Sequence, residues 1–379
     1  MKNNNWQIKY LKDLCIQAGE YGLNAPAISF TKEFPLYLRI TDITDDGIYS
    51  DKQRVSVAYT GTEKLLNNND FLFARTGATV GKTYLNRQTD EKIAFAGYLI
   101  RFVPDLNKIL PYYLVLYCQT KPYWKWVKIF SIRSGQPGIS AEEYGKLPIP
   151  CPPIEEQRRI VEVLECWDKG IELVKKLIEQ KELQKKYLMQ QLLSGALRLN
   201  GFTDKWKKCG FKELFVSVKG TTFMQIQSSE YLSNGEFPIV DQGQEQIVGF
   251  SNQKNKLYKD LPVIVFGDHT RIIKYIDFPF IIGADGTKLL KVNLAYNIRF
   301  LYYILLNAPI PNLGYSRHLS LLKQMFFYIP EKRQEQQAIA EVLSSADKEI
   351  DLLKQKLAKL EAQKKGLMLV LLTGKVRLK

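Results

Sequence analysis

A chain of 379 residues is too long for one ordinary core and suits two to four domains. Its 45% hydrophobic and 12% aromatic content supplies real cores and excludes global disorder. The formal charge of +15, from 54 Lys and Arg against 39 Asp and Glu, is compatible with a phosphate-bearing partner and equally with mere solubility.

The polar start, Met1 to Trp6, has no apolar core of a leader, and no run reaches the roughly 18 apolar residues of a membrane helix. Five scattered cysteines (Cys15, Cys118, Cys151, Cys166, Cys209) lack C-x-x-C spacing, which fits neither a disulfide framework nor a zinc site. A reducing, cytoplasmic setting without membrane insertion is expected.

Residues 1–150 read as a β-rich block with 19 basic against 14 acidic residues. Strand-like runs at 37–43, 70–74 and 94–102 are separated by Gly and Asn-Asp clusters. A helix is predicted over 111–127, then a polar loop at 133–140 and a short exit strand. Residues 77–83 (GATVGKT) approach a nucleotide-binding P-loop, but that motif needs four residues between its glycines and here there are three. The following residues continue as strand instead of opening a helix, so a tight hairpin carrying Arg75, Thr76 and Lys82 is expected.

After the proline-rich stop at 148–153, apolar residues alternate in steps of four and three, the period of a left-handed coiled coil. The seam runs through Ile160, Leu164, Trp167, Ile171, Val174 and Ile178, then Lys181 and Lys185, then Leu188 and Leu192. Ser194-Gly195 supplies the C-terminal stop.

The second block, 201–330, has 15 basic against 10 acidic residues. It opens with Trp206, Lys212 and Leu214, which repeat Trp6, Lys12 and Leu14 at an offset of 200. Strand-like runs at 237–240, 262–266 and 278–283 and a helix over 295–308 lead to a second polar loop, 314–320. The two loops align at Ser140 and Ser320, while the rest of the two blocks diverges. His269, beside Asp268 and Arg271, and His318 are the only histidines. Two histidines without further spaced ligands make no convincing metal or triad site.

The chain then repeats itself. Residues 335–378 match 156–199 at 22 of 44 positions with a constant offset of 179 and no gap. The second seam is Ile339, Leu343, Ala346, Ile350, Leu353 and Leu357, then Leu360, Lys364, Leu367 and Leu371. A long-period repeat marks a duplicated structural unit. Each helix, at about 40 residues and 1.5 Å rise, spans roughly 60 Å. Trp167 against Ala346 suggests that the helices pack on each other within the chain, large against small; association of two chains through the same seams is the alternative. A twofold relation between the blocks requires antiparallel helices with one block at each end, so that the helices act as a ruler.

The order of blocks and repeats, the run Pro152-Pro153-Ile154-Glu155-Glu156-Gln157, and the endings Leu192-Leu193-Ser194-Gly195 and Leu371-Leu372-Thr373-Gly374 resemble the specificity subunit of a Type I restriction-modification system over essentially the whole chain. The second copy departs at 330–336, which lacks the double proline. The resemblance implies an α+β fold with two mostly-β target recognition domains carrying small helices, 1–153 and 201–330. These are separated by two long antiparallel coiled-coil helices, a central spacer at 154–200 and a C-terminal one at 331–379, in a pseudo-twofold arrangement. Each domain would read one half of a bipartite site in double-stranded DNA. Two methyltransferase subunits using S-adenosylmethionine and two restriction subunits using ATP and Mg would supply the chemistry. No catalytic residue, metal or cofactor is expected on this chain.

Base edges are read by Arg, Lys, Asn and Gln, while phosphate contacts position without specifying. Residue type and loop position select Arg75, Thr76, Lys82, Arg133 and Gln136 in the first block. In the second they select Gln242, Gln244, His269, Arg271, Arg317 and His318. A coiled-coil adaptor whose β blocks bind proteins is the other class of reading.

Overall fold

The computed structural model describes residues 6–87, 90–314 and 316–378, with the side chain of Ala18 left aside. The first five residues of the polar start and Tyr315 of the second loop lie outside them. The chain divides into two compact units, Met1–Leu173 with Leu357–Lys379, and Val174–Lys356.

In the first unit the strands are, in chain order, β1 (Gln7–Tyr10), β2 (Cys15–Tyr21), β3 (Ile28–Ser29), β4 (Leu36–Leu38), β5 (Val55–Ser56), β6 (Phe71–Ala74), β7 (Thr83–Leu85), β8 (Ile93–Phe95), β9 (Leu99–Pro104) and β10 (Pro148–Cys151). Helices α1 (Pro111–Cys118), α2 (Lys121–Phe130) and α3 (Ala141–Gly145) lie between β9 and β10. Strands β1 and β10 pair antiparallel, Gln7 opposite Cys151, tying the entry of the block to its exit. Two four-stranded sheets follow the orders β2-β9-β6-β7 and β3-β5-β4-β8, the latter containing the parallel pair β4 and β8.

Strand β6 shows why the layers form. Its four residues are all apolar and buried, and successive side chains of a strand point to opposite faces. Phe71 and Phe73 pack with Tyr113, Tyr117 and Tyr144 of the helices, while Leu72 and Ala74 pack with Leu36, Leu38 and Phe95 of the other sheet. Burial of a side chain such as Phe73 stabilises by about 1.5–3 kcal/mol.

Three expected elements are divided, the run at 37–43 among them, where the strand stops at Leu38 and a 3-10 turn follows at Ile40–Asp42. The run at 94–102 is two strands in different sheets, turning at Gly97, where an added Cβ would stand 3.3 Å from the Leu23 carbonyl oxygen. The helix expected over 111–127 breaks between α1 and α2, because Pro122 has no N–H to continue α1. Thr120 caps the new start by accepting from the Tyr123 amide at 3.4 Å.

The central helix α4 (Ile154–Leu193) passes from the first unit into the second. The second unit repeats the scheme with β11 (Trp206–Gly210), α5 (Phe211–Leu214), β12 (Phe215–Ser217), β13 (Phe237–Val240), β14 (Gly249–Ser251), β15 (Leu257–Tyr258), β16 (Val263–Gly267), β17 (Ile273–Ile276), β18 (Phe280–Ile282), β19 (Thr287–Val292), α6 (Ile298–Leu306), α7 (Leu319–Leu322) and β20 (Phe326–Pro330). Strands β11 and β20 close the block, β12-β19-β16-β17 forms one sheet, and β14-β13-β18-β15 the other, again with one parallel pair, β13 and β18. The last helix, α8 (Arg333–Leu371), returns its far half to the first unit. Gly195 and Gly374 follow the two helices with φ of +74° and +67°, the left-handed stop that glycine adopts without strain.

Within each unit the start of one long helix lies antiparallel to the end of the other. Asp168 pairs with Lys364 in the first unit, and Lys181 with Glu349, Lys185 with Asp347 and Lys354 with Glu182 in the second. Seam residues Ile160, Leu164, Ile171, Ile178, Ile339, Leu343 and Ile350 are buried, and Trp167, Val174, Ala346, Leu353 and Leu357 half-buried. The expected stacking of Trp167 on Ala346 is not what the register provides. Trp167 precedes the residue that pairs with Lys364, and Ala346 precedes the one that pairs with Lys185. Trp167 belongs to the first unit and Ala346 to the second, so each packs with its own unit's neighbouring helix.

The lysines that interrupt the apolar seam have partners. Asp168 accepts from Lys364 at 2.5 Å and from the Tyr112 hydroxyl of α1 at 2.8 Å. Asp347 likewise accepts from the Tyr303 hydroxyl of α6 at 2.6 Å and pairs with Lys185. The Glu-Gln pair at each helix start has a matching role. Glu156 takes both nitrogens of Arg377 at 2.5 Å and the Trp6 indole at 3.1 Å. Glu335 takes Arg198 at 2.8 and 2.9 Å and the Trp206 indole at 3.3 Å. The adjoining Gln157 accepts from the Leu110 amide at 2.9 Å, and Gln336 from the Asn297 amide at 2.8 Å, fastening each helix start to the first turn of α1 or α6.

Burial alone would raise the Glu156 carboxyl, but the hydrogen bonds from Arg377 and Trp6 outweigh it and hold the group below the usual carboxylate range. A folded-state value below the unfolded one contributes stability above the unfolded pKa, lost as pH falls through the folded one. Glu156→Gln is expected to lower stability by about 1–3 kcal/mol at pH 7. In thermal unfolding across pH, the gap to the wild type should close below about pH 4; a gap constant with pH would rule the ion pair out as its source.

Candidate nucleic-acid interface

In the first unit the surface begins at the β6–β7 hairpin. Its tip needs glycine: φ is +68° at Gly77 and +89° at Gly81, with a short 3-10 turn at Gly77–Thr79 between them. The Gly81 carbonyl accepts from Tyr123 of α2 at 2.6 Å, and its amide donates to Tyr144 of α3 at 3.1 Å. The near-P-loop run is therefore a strand-to-strand turn held from beneath by two buried tyrosines.

The loop after α2 lies along this turn. Thr76 bridges Gly138, the Ile139 amide donates to the Arg75 carbonyl at 2.9 Å, and the Gly77 amide donates to the Pro137 carbonyl at 3.0 Å. Arg75, Thr76, Arg133 and Gln136, distant in sequence, thus share one surface. A Cβ on Gly77 would come within 2.8 Å of the Gln136 amide nitrogen. The Arg75 guanidinium sits 4.8 Å from the Tyr21 ring centroid, and its Nε is buried without a hydrogen-bond partner.

Two of the expected cations are already engaged. Arg133 grips Glu143 at 2.7 and 2.6 Å and also donates to the Phe130 and Ile132 carbonyls. Lys82 pairs with Asp45 at 2.7 Å. Glu143 also accepts from the Ser140 amide, so one carboxylate both caps α3 and shapes the loop.

The second unit builds its surface from the same two places. The β16–β17 turn carries Arg271 at φ +62°, and the Arg271 guanidinium donates to the Ile310 carbonyl at 3.0 Å, joining the turn to the loop after α6. Gln242 is stitched into this turn. It donates to the Asp285 carbonyl at 2.8 Å and accepts from the His269 amide at 3.2 Å, while Thr270 donates to the Gln242 carbonyl at 2.6 Å. Gln244 and Arg317 are exposed.

His318 departs from the expectation of a surface reader. It is fully buried, accepts at Nε2 from the Leu313 amide at 3.3 Å, and places Nδ1 2.9 Å from the Asp268 carbonyl. The Leu319 amide donates to the Asp268 carboxylate at 2.8 Å. His318 and Asp268 therefore join the turn to the start of α7, and neither is free to reach a base. The loop alignment shifts with them: Ser140 caps α3, whereas the position before α7 is His318, and Ser320 lies inside the helix.

Sequence reasoning passed over Lys274. It is buried in β17 and donates to the Glu245 carbonyl, while Gln246 reaches the Tyr275 carbonyl at 3.2 Å. Burial lowers the Lys274 pKa. Together these bonds hold the 241–248 loop that presents Gln242 and Gln244. A lysine in the otherwise apolar run IKYI was the available signal.

Two β-rich blocks on a common scaffold, each with a polar turn-and-loop surface and each joined to a matched long helix, define a class of paired recognition modules. A family model described as the Type I restriction modification DNA specificity domain matches residues 3–183 and again 203–362. The chain belongs to this family of DNA-specificity subunits of type I restriction-modification systems, subunits that recognise DNA sequence and are not themselves catalytic. Two similar curated proteins come from Methanocaldococcus jannaschii. The putative type I restriction enzyme MjaX specificity subunit is 25% identical over 99% of this chain and 94% of its own length. The MjaVIII specificity subunit is 25% identical over 93% and 89%. The fold is that of the S subunit from M. genitalium, at a TM-score of 0.61 and 18% identity over 98% of this chain and 97% of that one. A chain from a structure of type I restriction-modification complex assembly matches at 0.57 and 17%, over 97% of each.

Replacing Arg75 by Ala should relax base preference in one half of the target only, and Arg317→Ala in the other half only, each by about 1–3 kcal/mol of discrimination. His318→Ala should instead lower thermal stability by roughly 2–4 kcal/mol, through an emptied buried site and a Leu313 amide left without its acceptor. Selection of bound sequences from a random pool, beside thermal unfolding of the same variants, separates these effects; a His318 variant of unchanged stability would return that residue to the reading surface.

Proposed function

We propose that the chain reads a bipartite target in double-stranded DNA, the first unit one half and the second unit the other, with α4 and α8 fixing the gap between the halves. The observation carrying this reading is the repetition of one surface with different side chains. The β6–β7 turn against residues 131–139 presents Arg75, Thr76 and Gln136. The β16–β17 turn against residues 310–319 presents His269, Arg271 and Arg317. A duplicated scaffold that keeps its buried frame and changes its exposed loops suits two half-sites of different sequence.

The chemistry belongs to partners. Two methyltransferase subunits carrying S-adenosylmethionine would methylate adenine, and two restriction subunits using ATP and Mg would translocate and cleave. A twofold supply of docking positions supports this. Leu173 and Leu352 are identical at the repeat offset, lie on the outer faces of α4 and α8, and remain 68% and 65% exposed. Large exposed leucines at matching places are what two copies of one partner require. Among the described residues no helix is long and apolar enough to cross a membrane, and a cytoplasmic setting accords with the five cysteines, none of which is in a disulfide.

The test is methylome sequencing of a host without adenine modification, expressing the methyltransferase subunit with or without this chain. A methylated motif of two short halves around a fixed gap, present only with the chain, is the expected result. Full binding of the methyltransferase subunit with no such motif would defeat the reading. In the same host, a variant combining L173D with L352D should remain folded but lose methylation by at least tenfold, since each buried charge removes apolar contact and adds desolvation. Undiminished methylation would place the docking surface elsewhere.

A further inference from the structure

The first unit's reading surface is less cationic than its composition suggests, because Lys82 is matched by Asp45 and Arg133 by Glu143. A surface neutralised in this way attracts a polyanion weakly. Besides Arg75, which stacks on Tyr21 without an acidic partner among the described residues, the unmatched charge of this region lies on α2. Lys121, Lys125 and Lys128 are spaced i, i+4 and i+7, which puts them on one helix face, opposite the buried Tyr123, Trp126 and Val127. All three are exposed, the helix sequence KPYWKWVKIF contains no acid, and among the described residues none of the three makes an ion pair.

The helix is built into the reading surface. Tyr123 donates to Gly81 at the hairpin tip, Trp124 and Val127 fill the space where a Gly81 Cβ would project, and the chain leaves α2 directly into residues 131–139. The second unit has no counterpart. Its segment between α6 and α7, residues 307–318, contains no helix among the described residues and one Lys or Arg, Arg317, against four in residues 119–140.

The geometry points to a phosphate clamp on α2: Lys121, Lys125 and Lys128 neutralise backbone phosphates beside the half-site read by the first unit, without reading bases, while the second half-site is held without such a clamp. From Lys121 to Lys128 the stripe is about 10 Å long, matching roughly three rises of 3.4 Å along one DNA strand. The inference rests on the reading of the chain as a recogniser of a split DNA target and adds to it an electrostatic inequality between the halves. Phosphate contacts fix register and orientation and carry salt dependence, whereas base contacts carry sequence.

The experiment uses the full chain assembled with its methyltransferase subunits, a duplex bearing the mapped motif, and affinity measured across a potassium chloride series. The triple variant K121Q, K125Q, K128Q should flatten the slope of log affinity against log salt by about 2.7, at about 0.9 per phosphate contact. It should leave the methylated motif unchanged. The corresponding triple arginine variant should keep the wild-type slope, which separates charge from folding. Ethylation of phosphates flanking the first half-site should cease to interfere with binding of the glutamine variant, while interference at the second half-site persists. A glutamine variant with the wild-type slope overturns the clamp, as does one whose motif degenerates in the first half, because the lysines would then be reading bases. If the wild-type complex binds the duplex without salt dependence or motif, the functional reading falls and the clamp with it.

Discussion

The structure depends on a carboxylate taken out of water at the start of each long helix. Glu156 and Glu335 are nearly inaccessible, and each is tolerated there because an arginine fork and an indole N–H together satisfy it. The partners come from three separate parts of the chain. The tryptophan opens the β block, the glutamate opens the helix that follows it, and the arginine comes from just beyond the end of the other helix. One ion pair thereby sets where a block begins, where its helix starts and where the opposite helix must finish. The arginine also lies over the tryptophan ring, 5.4 Å away in the first unit and 5.6 Å in the second, so cation and ring pack as well as pair.

Around that point the duplicated residues divide the remaining work. The glutamine beside each glutamate ties the helix start to α1 or α6, and the aspartates at 168 and 347 gather a tyrosine from the same block and a lysine from the facing helix. These positions are identical in the two repeats because each satisfies a buried or half-buried polar group that a substitution would leave without a partner. The exposed turns and loops bear no such constraint, and there the two blocks share little. Retained frame and divergent surface are two outcomes of the same energetic rule.

Much of this was legible in one dimension. The heptad seam was readable because a helix facing a single partner buries the same stripe at each turn, and the repeat gave the antiparallel arrangement through symmetry. The glycines of residues 77–83 announced a hairpin because only a turn with positive φ needs them at that spacing. Other features depended on partners that no local pattern reveals. Lys82 and Arg133 look like free cations until Asp45 and Glu143 are brought beside them, and His318 looks like a surface residue until the β16–β17 turn closes over it. Pro122 was visible, yet the division of the predicted helix into α1 and α2 depended on Thr120 being placed to cap the second piece. Side-chain satisfaction is a tertiary property, and it decided which of the polar residues remained exposed.

The division of both helices between the units bears on the order in which the protein can be completed during synthesis. The second unit is one continuous stretch, Val174–Lys356, whereas the first needs Leu357–Lys379 as well. Met368, Leu371 and Leu372 belong to the same apolar cluster as Ile160, Leu164 and the first block's helices. A chain emerging from the ribosome therefore makes the first block early but leaves that cluster open until the last helix arrives. The usual order, in which the N-terminal domain folds first, is reversed at the level of finished cores. The unit begun first is the one sealed last, and its uncovered face must stay free of aggregation throughout the synthesis of the other.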